Sequence, residues 1–143
     1  LAVLKKNYYH PFMKGSNSII AVLPAIFQTS DIIRQRYSNP LEFGTNLKGM
    51  RLWQKDSDTS IVSDPYKLLP DQFQDIDLKT DEMFLEDGQI SEGGAAAVAF
   101  AKMQFTEMSD MERNALREAL LQYCELDTLA MVMIREHWES ILE

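Results

Sequence analysis

A chain of 143 residues, 45% hydrophobic and 25% charged, has room for one domain with a core of its own and little room for two. Its longest apolar stretches, residues 19–27 and 126–134, are far too short to span a bilayer, and the segment after Lys5 and Lys6 lacks the apolar region of a signal peptide. A net charge of −8 argues against a broad electrostatic footprint for nucleic acid on this chain alone, and a single cysteine, Cys124, excludes an internal disulfide framework and a cysteine-based zinc site.

These limits point to a globular, cytoplasmic protein without a membrane segment, residues 1–143 forming a single domain or domain fragment. The chain opens on Leu1 instead of Met, as a piece of a longer polypeptide would. Lys5, Lys6, His10 and Lys14 crowd the first fourteen residues, with no acid before Asp31. A solvated face is the default reading of that cluster, and a nucleic-acid contact is the alternative. Cys124 as a nucleophile would need His10 or His137 as its base; a small buried core residue is the better reading.

Residues 1–15 read as a loop or short helix end closing at Gly15. Ser16, Asn17 and Ser18 then supply N-cap chemistry for the apolar run Ile19, Ile20, Val22, Leu23. Pro24 interrupts that run, so the helix is expected to end near Leu23 or to restart with Pro24 in a first turn. A second helix is expected from Ser30 or Asp31 to Tyr37, capped by Ser30 and stopped by Asn39 and Pro40. Residues 41–50 are polar and glycine-containing, hence loop. Residues 51–55 and 60–63, on either side of a polar turn, read as a small β-hairpin that must pack on something to persist.

Residues 64–70 read as an extended segment pinned by Pro65 and Pro70, and the acidic residues 71–88 as a surface connection ending in the turn Asp87-Gly88. Ser91 is expected to cap a third helix from Gly93 or Gly94 to about Gln104, its small residues permitting close packing. Gly93-Gly94 is no phosphate loop, because no Lys-Ser/Thr follows it. Ser109 and Glu112 have capping-box spacing and open a long helical run over residues 110–143.

At helical spacing, Leu116, Leu120, Tyr123, Asp127, Met131, Ile134, Trp138 and Ile141 fall on one face of that run. Asp127 is the one carboxylate on the stripe, and an ionised Asp on a core-facing stripe requires a partner. A metal cation is one such partner, with Tyr123 one turn earlier directed to the same place. The alternative is a break in the run, with Asp127 as the N-cap of a new helix and no chemistry of its own.

The run from Tyr123 to Asp127, followed by Thr-Leu-Ala-Met, resembles the third motif of the DEDDy 3′–5′ exonucleases, which have a ribonuclease H-like fold. Four blocks together resemble a bacterial domain-of-unknown-function family whose exonuclease-like domain often follows a RecB-like nuclease region. They are Lys14-Gly-Ser-Asn-Ser-Ile19 with Ala21-Val-Leu-Pro24, Asp64-Pro-Tyr-Lys-Leu-Leu-Pro70, Asp87-Gly-Gln-Ile-Ser91, and Tyr123-Cys-Glu-Leu-Asp-Thr-Leu-Ala-Met131. The resemblance covers essentially the whole chain.

In such exonucleases four carboxylates hold two divalent ions, Mg²⁺ or Mn²⁺, that activate water and stabilise the leaving oxygen of a phosphodiester. The resemblance implies that Asp127 is a metal ligand and Tyr123 orients the attacking water. It also implies that the helix after Ser16 flanks the substrate strand, which makes Lys14, Ser16, Asn17 and Ser18 substrate-binding. No Asp-x-Glu on a strand is present, and residues 1–30 hold no acid. The expected fold is therefore mainly α with a small β-hairpin, the C-terminal portion of an α/β ribonuclease H-like exonuclease domain without its central sheet. The parent would hydrolyse phosphodiesters and bind nucleic acid, the upstream part of the same polypeptide being this chain's partner, and the fragment alone would be inactive. A non-catalytic helical interaction module, a homo-oligomer included, and a family member that has lost catalysis are the rival expectations.

Overall fold

The structure of the chain, a computed structural model, describes residues 8–55, 61–69 and 92–142, with the backbone alone for residues 92–95. The described residues are mostly helical. Helix α1 spans Ile19–Thr29, α2 Asp31–Arg36, α3 Glu92–Phe105 and α4 Asp110–Leu142, with 3-10 turns at Pro11–Met13 and Pro65–Leu68. None of these helices is long and apolar enough to cross a membrane. The chain divides into two compact units, Leu1–Leu68 with Glu125–Glu143, and Leu69–Cys124.

The first unit is built on α1, which buries Ile20, Val22, Leu23, Ala25, Ile26 and Phe27. It packs against the Pro11–Met13 turn, α2 and the Pro65–Leu68 turn. The helix does not stop at Leu23 or restart at Pro24; it runs through the proline. An interior proline costs about 3 kcal/mol. Burial of Leu23, Ile26 and Phe27, each worth roughly 1.5–3 kcal/mol, outweighs that cost. Ser30 then serves both helices. Its N–H donates to the Ile26 carbonyl (2.8 Å) as α1 ends, and its Oγ accepts from the Ile33 N–H (3.4 Å) as α2 begins. α2 closes at Tyr37, as Asn39 and Pro40 require.

The expected β-hairpin does not form strands among the described residues. A single antiparallel bridge, Lys55 with Val62, is what remains of it. The bridge is made through the Ser63 N–H, which donates to the Gln54 carbonyl (2.7 Å). On the opposite side of Val62 the Gln28 side-chain amide donates to the Val62 carbonyl (2.8 Å) and accepts from the Val62 N–H (3.3 Å). The next residues are not extended either. Asp64 Oδ1 accepts the Tyr66 N–H (3.0 Å) and its carbonyl the Lys67 N–H (3.0 Å), which curls Pro65–Leu68 into a 3-10 turn.

The second unit holds α3 and the first part of α4. Ala99 and Leu116 form its buried centre, with Val98, Met103, Met108 and Leu120 packed around them. The capping box is made as the spacing predicts: Glu112 Oε2 accepts the Ser109 N–H (2.8 Å) and Ser109 Oγ accepts the Glu112 N–H (3.2 Å). The Arg113 guanidinium donates to the Met103 carbonyl, one of those that the end of α3 leaves open. The acidic connection at residues 71–88, the turn Asp87-Gly88 and the cap at Ser91 lie outside the described residues.

A candidate site around Asp127

α4 is continuous from Asp110 to Leu142, so Asp127 is interior to a helix and not the N-cap of a new one. In the second half of α4 the buried face is Leu126, Ala130, Met133, Ile134 and His137. Apart from Ile134, this face lies one residue before the stripe read from the sequence, a rotation of about 100°. Met131 (56% exposed) and Ile141 (61% exposed) therefore face outward. The pattern misled because Ala130 and Met133 are apolar like the Met131 and Ile134 that follow them, so both faces read as apolar there. Asp127 stands half-buried at the border of the packed face. Cys124, expected in the core, is exposed.

The partner that Asp127 requires is Tyr66, whose hydroxyl donates to Oδ1 at 2.6 Å. Tyr66 is held in place by the Asx turn of Asp64 and by the buried Pro65 beside it. Burial pushes the Asp64 carboxyl above its ordinary range, opposed by the Tyr66 N–H and by Lys67.

Two residues earlier, Glu125 reaches the loop after Gly44. Its Oε1 accepts the Thr45 N–H (2.9 Å), and its Oε2 accepts both the Asn46 N–H and Asn46 Nδ2 (2.7 Å each). Burial acts to raise this carboxyl, and the hydrogen bonds from Asn46, Thr45 and Leu47 prevail and hold it below the usual carboxylate range. Gly44, at φ +91°, has no Cβ where one would overlap Oε1. Further along α4, Glu136 accepts from Tyr37 Oη (2.9 Å) and pairs with Arg36 (2.6 Å). Burial, then the bond to Glu136, pushes the Tyr37 hydroxyl far above its ordinary pKa. His137 Nε2 meets Tyr8 Oη at 3.3 Å.

The remaining sequence-predicted residues lie elsewhere. Tyr123 is half-buried in the second unit, four residues before Asp127 on the same helix. Lys14 closes the Pro11–Met13 turn at φ +50° and is exposed. Ser16 Oγ accepts the Ser18 N–H (3.2 Å), and Ser18 heads α1 without a side-chain cap bond. Asn17 is half-buried between them. Lys14, Ser16 and Ser18 thus lie along one segment leading into α1, the Ser18 carbonyl accepting the N–H groups of Ala21 and Val22 (3.0 Å each) as the helix begins. Tyr66 and Glu125 are the site residues the sequence reading missed. Asp64-Pro65 is a turn-initiating pair and was the available signal for Tyr66.

Among the described residues no group of three or more His, Cys, Asp or Glu could hold a metal ion. Asp127 offers a hard oxygen suited to Mg²⁺ or Mn²⁺ as one ligand of a set, but the described residues do not by themselves make such a site. Set against known proteins, the chain matches no family model, no curated protein and no solved structure.

Proposed function

We propose that this chain is the C-terminal part of a metal-dependent, 3′–5′ exonuclease-like domain with a ribonuclease H-like fold. Asp127 contributes one carboxylate to a site whose other ligands come from the upstream part of the same polypeptide. The observation that carries the reading is the Tyr66–Asp127 hydrogen bond, which joins two of the resembling blocks across 61 residues of sequence. A third block, the one containing α1, packs against the same Pro65–Leu68 turn. Blocks that meet in space are what a shared site requires. Mg²⁺ or Mn²⁺ would supply water activation and charge stabilisation there. Tyr123 orients water, and Lys14, Ser16, Asn17 and Ser18 meet the nucleic-acid backbone.

The test uses the longer polypeptide that carries the remaining carboxylates. Asp127→Asn keeps the shape of the side chain and removes the charge, so hydrolysis of oligonucleotides should fall by orders of magnitude with the fold retained. Tyr123→Phe should cost less, roughly the 10²–10⁴-fold of one positioned proton-transfer group. An unchanged rate in Asp127→Asn ends the reading. The 143-residue chain alone should be inactive in Mg²⁺ or Mn²⁺, and chelator-sensitive digestion by it would refute the division of ligands.

One observation favours a second reading, a helical interaction module. Met131, Val132, Ile141 and Leu142 are all exposed on α4, more apolar surface than a solvated helix needs.

A further inference from the structure

The loop that receives Glu125 has the construction of a binding site. Gly44 at φ +91° turns the backbone so that the N–H groups of Thr45, Asn46 and Leu47 converge on one carboxylate. Successive amides arranged in this way make a concave, anion-binding nest. The donors suit a planar fork: one N–H addresses Oε1, while the Asn46 backbone and side chain address Oε2. The missing Cβ of Gly44 leaves room for the first of those oxygens. None of these contacts is used by the nuclease reading of Asp127.

We propose that the Gly44–Leu47 loop is a carboxylate-binding site, kept filled by the chain's own Glu125 and open to a free carboxylate of formate or acetate size once that side chain is removed. Tethering explains why the native site stays closed to free ligands. A group attached to the adjacent helix is present at an effective concentration in the millimolar range or above. Glu125→Ala removes the occupant and preserves helix propensity. Glu125→Gln removes the charge but leaves an amide in the way.

The experiment follows unfolding of the native chain, Glu125→Ala and Glu125→Gln by circular dichroism and tryptophan fluorescence. Formate, acetate, chloride and sulfate are compared at matched ionic strength. Formate and acetate should stabilise Glu125→Ala selectively, raising its folding constant about elevenfold at ten times the dissociation constant. The native chain and Glu125→Gln should respond as they do to chloride. Amide resonances of Thr45 and Asn46 should shift on adding formate to Glu125→Ala. If alanine leaves the chain unfolded, formate should restore the native spectrum. Equal stabilisation by sulfate would overturn the assignment to carboxylates. A Glu125→Ala response no larger than that of the native chain, unmoved loop amides, or no recovery of an unfolded variant would overturn the site itself.

Discussion

Asp127 and Glu125 lie two residues apart on α4 and answer to different donors, so their substitutions should behave differently. Tyr66→Phe leaves a half-buried carboxylate without its hydroxyl donor, and we expect a loss of about 1–3 kcal/mol in denaturant unfolding. Glu125→Gln turns an NH₂ toward backbone N–H groups and should cost a similar amount, about 1–3 kcal/mol. The pH dependence of Glu125 has a definite sign. Its folded pKa is depressed, so the stabilisation is present above the unfolded value of about 4.3 and is lost as pH falls through the lower folded value. His137 carries the same sign at higher pH. Burial, and secondarily His10, lowers its pKa, so stability is full above the unfolded value of about 6.5 and declines below it. Equilibrium unfolding of the native chain between pH 7 and 5, beside His137→Gln, should show that decline flattened in the variant.

At the scale of elements, the local signals were legible and the tertiary ones were not. Ser30 and the Ser109–Glu112 box act within one turn of chain, and both caps form where the spacing puts them. Ser109→Ala removes the acceptor for the Glu112 N–H and should lower stability by about 1 kcal/mol, read as a shift in denaturation midpoint. Pro24 is a local breaker overruled by the burial of the residues around it, a balance that no window of sequence contains. The Val62 backbone shows the same at longer range, since the Gln28 amide that satisfies it lies 34 residues away. Asp127 was recognisable as a carboxylate in need of a partner. That the partner is Tyr66 depends on a turn folded 61 residues away.

For the molecule as a whole, the outward-facing apolar residues of α4 set the expected solution behaviour. Met131, Val132, Ile141 and Leu142 should drive concentration-dependent association of the isolated chain, measured by light scattering, and Met131→Lys with Val132→Lys should shift it toward monomer. A compact monomer at high concentration would remove the observation behind the interaction-module reading. Gln28 bears on solubility in a different way. An unpaired β-edge is a template on which other chains can add strands and grow into aggregates. The amide of Gln28 occupies the N–H and the carbonyl of Val62 together, and so acts as a stopper on the side of the Lys55–Val62 bridge that the bridge itself leaves open. Gln28→Leu would keep the volume but reopen the template, and the variant should nucleate thioflavin-positive fibrils sooner than the native chain.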